Sequence, residues 1–147
     1  MRFGNTVGTL TALAFFALAV AAAPAARAMD RCSAGTLSGS YSDQDTGTIV
    51  GVGPFAGVNV DTFDGRGKLT IRGVSSVNGS VSPGVSTGTY QVNADCTGTY
   101  SVSDAYGDTF TAFFVISDSG NELRIIVTNA GTVINCVAHK QFASSHD

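Results

Sequence analysis

Three close pairs of aspartates, four tyrosines, three cysteines and two histidines are the residues of this chain best suited to chemistry. Asp43 with Asp45, Asp61 with Asp64, and Asp104 with Asp108 are near enough for paired acid–base work or hard-oxygen calcium binding. Turn chemistry accounts for most of them. Asp64 opens the tight turn Asp64-Gly65-Arg66-Gly67, Asp104 and Asp108 flank a loop, and Asp43-Gln44-Asp45 lacks the rest of a calcium loop. Asp61 differs, because it falls within a strand and shares a face with Phe55 and Phe63. That alternation aims it at an interior. Tyr41, Tyr90, Tyr100 and Tyr106 offer polar handles in apolar surroundings, although cross-strand aromatic packing is their plainer role. His139 reads as a surface or rim residue and His146 as a solvated tail residue. No Gly-x-Ser-x-Gly elbow is present, so no catalytic residue is assigned. The cysteines, Cys32, Cys96 and Cys136, permit one disulfide and one free thiol. They do not suggest a metal site, since no two are close in sequence and only His139 and His146 could join them. The sequence therefore points to no metal and no cofactor.

The elements that must position these side chains are strands. Glycine, threonine, serine and valine dominate past residue 30, and no stretch keeps the helical 3, 4, 7 apolar spacing over three turns. Short β-branched and aromatic runs alternate between turn signals instead. Strands are expected over 39–42, 46–52, 55–63, 68–77, 86–92, 96–103, 109–117, 122–128 and 133–142. Thr87-Gly88-Thr89-Tyr90 and Thr97-Gly98-Thr99-Tyr100 form a hairpin written twice, with Asn93-Ala94-Asp95 at its bend. Asn78-Gly79 reads as a hairpin turn or a bulge. Short turns force antiparallel neighbours, and a meander of this size exposes its edges unless it closes. The expected fold is all-β: an antiparallel eight- or nine-stranded up-and-down barrel, with a two-sheet sandwich as the alternative. Phe110, Ala112, Phe114 and Ile116 fall on one face of their strand and Phe113 and Val115 on the other; Ile126 likewise opposes Leu123, Ile125 and Val127. Both faces are therefore apolar, which calls for a filled lumen on one side and, on the other, a cover from the N-terminal segment, the tail or a second subunit. A homo-oligomer is the expectation drawn from Phe113 and Ile126.

The ends bound the compartment. Arg2, the apolar run from Val7 to Ala23 and Ala26-Arg27-Ala28 match a cleaved bacterial Sec-type signal over residues 1–28. Residues 29–147 then form one domain of about 119 residues, with a frayed tail over 143–147. It carries six basic against eleven acidic residues, a net charge of about −5. Nucleic acid and anionic membrane surfaces are poor partners for such a chain, and no membrane anchor is expected. The compartment is periplasmic or secreted, where disulfides persist.

The chain resembles a group of bacterial exported proteins with an allene-oxide-cyclase-like barrel, within the broad calycin group. The resemblance rests on Cys32 followed by Gly39-Ser40-Tyr41, on Gly53-Pro54-Phe55-Ala56, and on Phe63-Asp64-Gly65-Arg66-Gly67-Lys68-Leu69. It is densest from Thr87 to Thr99, ends near Glu122-Leu123-Arg124, and spans about residues 32–142. It implies an eight-stranded antiparallel barrel with a small interior and a Cys32–Cys96 bridge, leaving Cys136 as a buried thiol; Cys96–Cys136 is the alternative pairing. Plant enzymes of this fold cyclise a fatty-acid epoxide without a cofactor, and related bacterial barrels close rings. No motif here matches the plant active site, so no catalytic residue carries over.

Three functions follow as expectations. The first is a small apolar ligand bound in the lumen, lined by Tyr41, Asp61, Tyr90, Tyr100 and Phe114. The second is a cofactor-free cyclase or isomerase, and the third a structural or surface-interaction protein.

Overall fold

A computed structural model describes residues 32–142. The signal segment 1–28 and the tail 143–147 lie outside the described residues. Eight strands follow in chain order: β1 (Ser38–Ile49), β2 (Gly53–Asp64), β3 (Lys68–Val77), β4 (Ser80–Val92), β5 (Thr97–Asp104), β6 (Thr109–Ser117), β7 (Glu122–Val127) and β8 (Thr132–Lys140). Each pairs antiparallel with the next, and β1 pairs with β8 to close the barrel. Closure removes every sheet edge and excludes the two-sheet alternative. Among the described residues no helix is long and apolar enough to cross a membrane.

The turns obey local chemistry. Asp64 Oδ1 accepts the backbone N–H groups of Arg66 (2.7 Å) and Lys68 (2.9 Å) across the β2–β3 bend. Asn78 and Gly79 both have positive φ (49° and 86°), as a two-residue hairpin turn requires. They join β3 to β4 as a turn, not a bulge. One expectation fails here. The expected break at Asp43-Gln44-Asp45 is absent: residues 39–49 run through as a single strand, β1, giving eight strands, while 50–52, expected as strand, form the β1–β2 turn. Aspartate is depleted in strands because a half-solvated sheet offers it little. In this chain both acids face inward, where closure of the barrel decides the geometry.

The two ends of the barrel differ. At one end a short 3₁₀ turn over Ala34–Thr36 and the following Leu37 form a plug. The Tyr90 hydroxyl donates a bifurcated hydrogen bond to the carbonyls of Ala34 (2.9 Å) and Leu37 (3.0 Å), and the Tyr41 hydroxyl donates to Gly120 O (2.5 Å). Phe63 sits between these two rings, edge-on to Tyr41 at 5.4 Å and to Tyr90 at 5.0 Å. Leu37, Leu69, Phe114 and Leu123 complete a core that water does not reach. The Cys32–Cys96 disulfide pins the plug to the β4–β5 turn. At the other end the inward-facing residues Ile49, Phe55, Gly73, Ser75, Val77 and Ser86 remain half-exposed. The barrel is thus a cup, sealed at the plug and open at the β1–β2 and β3–β4 turns.

Outside, Phe113 on β6 pairs across the sheet with Ile126 on β7, and both stay about 39–51% exposed.

Candidate functional site

Register brings together residues that are far apart in sequence. On β1, Tyr41, Asp43 and Asp45 face the lumen in alternation. Asp43 lies opposite Asn59 of β2, and Asp45 lies between Gly57 of β2 and Cys136 of β8. Directly opposed side chains on one face sit about 4.5–5.5 Å apart at Cβ, so these strands assemble one polar cluster. A carboxylate oxygen of Asp43, one of Asp45 and the Sγ of Cys136 all lie within 4.8 Å of one another. Asn59 Nδ2 donates to Asp45 Oδ2 at 2.5 Å. Gly57 makes room for this contact, because a Cβ there would stand 2.9 Å from Asp45 Oδ2.

Asp61 is fully buried and neither of its carboxylate oxygens has a hydrogen-bond partner. Asp43, 6% exposed, leaves Oδ1 without a partner. Polar groups buried in this way are rare and costly. The described ion pairs, Arg124–Glu122 at 2.8 Å and the longer His139–Glu122 contact, lie outside the lumen, so among the described residues no basic side chain pairs with the buried acids. The result is a set of perturbed groups. Burial first, then the charges of Asp61 and Asp45, push Asp43 up to about 9. Burial first, then Asp45, pushes Asp61 up to about 7. Burial also raises the Cys136 thiol far above its usual range, with Asp45 and Asp43 adding to the shift. The Tyr100 hydroxyl is raised by burial first and then by Cys136 and Asp61. At neutral pH the cluster therefore holds protons that free carboxylates would have lost, and it titrates as a unit. Perturbed groups of this kind concentrate at functional sites.

The residues singled out from sequence fall in three places. Asp61 and Tyr100 border the carboxylate cluster. Tyr41 and Tyr90 point inward, but their hydroxyls are committed to backbone carbonyls that hold the plug and the β6–β7 turn. Phe114 is fully buried in the core, stacked on Tyr100 at 6.4 Å. Tyr106 is almost fully exposed. Sequence reasoning passed over Asp43, Asp45, Asn59 and Cys136 as members of one site. The signal was the alternation: Asn59-x-Asp61 faces inward while Val58 and Val60 face out, the reverse of an ordinary half-buried strand.

No family model and no curated protein matches the chain. Among solved structures it is similar to a de novo designed fluorescence-activating β-barrel, with a TM-score of 0.55 and 11% identity. The match covers 74% of this chain and 96% of the designed one. At that identity the likeness speaks for the fold, an eight-stranded antiparallel barrel.

Proposed function

We propose that this protein binds a small molecule in its lumen, entering through the open end and resting on the carboxylate floor. The observation that carries this reading is the asymmetry of the barrel: a packed, hydrogen-bonded plug at one end and half-exposed inward residues at the other. An eight-stranded barrel has an interior that side chains fill or that holds one small ligand. The similar designed barrel bears the description fluorescence-activating, and that description supports a lumen able to hold a guest. The ligand has an apolar body to match Ile49, Phe55 and Val77, and a polar group able to meet Asp45 or Asn59, the half-buried members of the cluster. Export through the signal over residues 1–28 belongs to the same proposal, supported by the disulfide. So does a second copy covering Phe113 and Ile126, which a monomeric mass by light scattering at micromolar concentration would remove. Titration with an environment-sensitive dye, followed by displacement with a small-molecule panel, tests the binding reading. Ile49→Arg at the mouth should abolish dye binding and Phe113→Ser outside should not. Dye binding indifferent to Ile49→Arg would reject it.

A cofactor-free cyclase or isomerase of the allene-oxide-cyclase-like type is the second reading. One observation favours it: Asp61, with a carboxyl raised to about 7, is suited to give or take a proton near neutrality. Turnover of an epoxide or polyene substrate that Asp61→Asn abolishes, with dye binding intact, would select it.

A further inference from the structure

We propose that Asp43, Asp45 and Cys136, with Asp61 beside them, form a binding site for one divalent transition metal ion of the zinc type on the floor of the lumen. Two carboxylates and a thiol present donor atoms within 4.8 Å of one another, from β1 and β8. Ligands on a single tetrahedral zinc lie roughly 3.5 Å apart, given metal–oxygen and metal–sulfur distances of about 2.1 and 2.3 Å. Small side-chain rotations reach that spacing without moving the sheet. Asp61 supplies the independent observation: it is fully buried, and both of its oxygens lack any partner. Asp43 Oδ1 is orphaned in the same way. A bound cation takes up the orphaned Asp43 oxygen and offsets the charge of Asp61 beside it, among acids that no basic side chain meets within the described residues.

The donor set selects among metals. The sulfur disfavours calcium and magnesium, which take oxygen ligands. The carboxylates disfavour copper(I), which takes soft ligands. Zinc accepts both donor types, and cobalt(II) shares its geometry. Asn59 donates to Asp45 Oδ2 and so orients a ligand from behind, as second-layer partners of metal sites do. Asp45 and Asn59 are only half-buried, which leaves an entry path from the open end. The metal and the small molecule of the preceding reading share this floor, so the two are tested in separate states of the protein.

The test uses the disulfide-intact protein stripped with chelator. Titration with Co²⁺ should saturate at one ion per chain, with intense tetrahedral visible bands and a thiolate-to-cobalt band in the near ultraviolet. Zn²⁺ should displace the cobalt. Cys136→Ser should lose the near-ultraviolet band, and Asp61→Asn should weaken binding about 10- to 100-fold. His139→Ala, on the outer surface, should change nothing. A weak octahedral spectrum, no saturable binding, or a sulfur band that survives Cys136→Ser overturns the proposal. If the variants do not fold, the spectrum of the unaltered protein decides, because only the predicted site supplies sulfur. Dye binding measured on the stripped protein reports on the small-molecule reading separately.

Discussion

Replacing Asp61 by asparagine should make the barrel less sensitive to alkali. Asp61 is enclosed on every side with both oxygens unpartnered, so ionising it inside the barrel is unfavourable. A carboxyl raised in the folded state binds its proton more tightly than the unfolded chain does. Its contribution to stability is therefore full below the unfolded value near 4 and is lost as pH climbs through the folded value. For Asp61 the rise from 3.8 to about 7 is about three units, or roughly 4 kcal/mol at full ionisation. Asp43, raised to about 9, extends the same slope further up. Asp64 and Asp95 are lowered, chiefly by the Lys68 N–H and the Thr97 side chain respectively. Their contribution is lost only as pH falls through their folded values, so they leave the window above pH ~5 undisturbed. Urea denaturation with chelator present, at pH about 5 and about 8.5, measures the difference. The unaltered protein should lose several kcal/mol between the two. Asp61→Asn should be close to neutral at the lower pH, where an amide replaces a protonated acid. Its advantage over the parent should grow by roughly 2–3 kcal/mol between the two pH values, toward about 4 kcal/mol in all, because part of the loss is already present at pH 5. Removing one charge also eases Asp43, so the slope should flatten further. A parent with no loss across the window, or a variant with the same loss, would show that these acids do not titrate as a buried cluster.

Other consequences can be measured directly. Tyr90→Phe removes the hydroxyl that holds Ala34 and Leu37, and should cost about 1–3 kcal/mol in chemical denaturation, with faster amide exchange confined to the plug. Reducing the Cys32–Cys96 bridge, which spans 64 residues, should cost about 4 kcal/mol on the chain-entropy model; an unchanged urea midpoint after reduction would contradict it. Gly57→Ala pushes a methyl to 2.9 Å from Asp45 Oδ2 and should lower stability by about 1–3 kcal/mol, an effect that Asp45→Ala in the same chain should relieve. Cys136, buried with its thiol raised, should react with a thiol reagent far more slowly than an exposed cysteine does.

Much of the fold was legible because turn residues and strand periodicity are local. Asp64-Gly65, Asn78-Gly79 and the doubled Thr-Gly-Thr-Tyr hairpin stand where the strands reverse, and the apolar run from Thr109 to Ser117 coincides with β6. The Cys32–Cys96 bridge follows the resemblance rather than any local rule. The candidate site was harder to read for a physical reason. Asp43, Asn59 and Cys136 meet only through the registers of β1 with β2 and of β1 with β8. The second of these joins residues almost a whole domain apart. Read in isolation, Asp43-Gln44-Asp45 has the composition of a turn, and only closure makes it a lumen wall. Tyr41 and Tyr90 illustrate the reverse: alternation placed them inward, but the carbonyls that hold their hydroxyls belong to the plug and the β6–β7 turn, which alternation does not describe.

Closure of β1 on β8 also bears on how the chain reaches its shape. Seven of the eight strand pairings join neighbours in sequence, and the eighth waits for the last strand. Until β8 arrives, the sheet is an open ribbon with β1 on one margin, its backbone groups ready to recruit a stranger. Inward-pointing charge on a marginal strand is one of the devices that discourage such recruitment. Asp43 and Asp45 sit on that strand. The same acids that strain the finished cup would then guard the unfinished ribbon against aggregation, and neutral replacements that stabilise the folded barrel should raise losses during refolding.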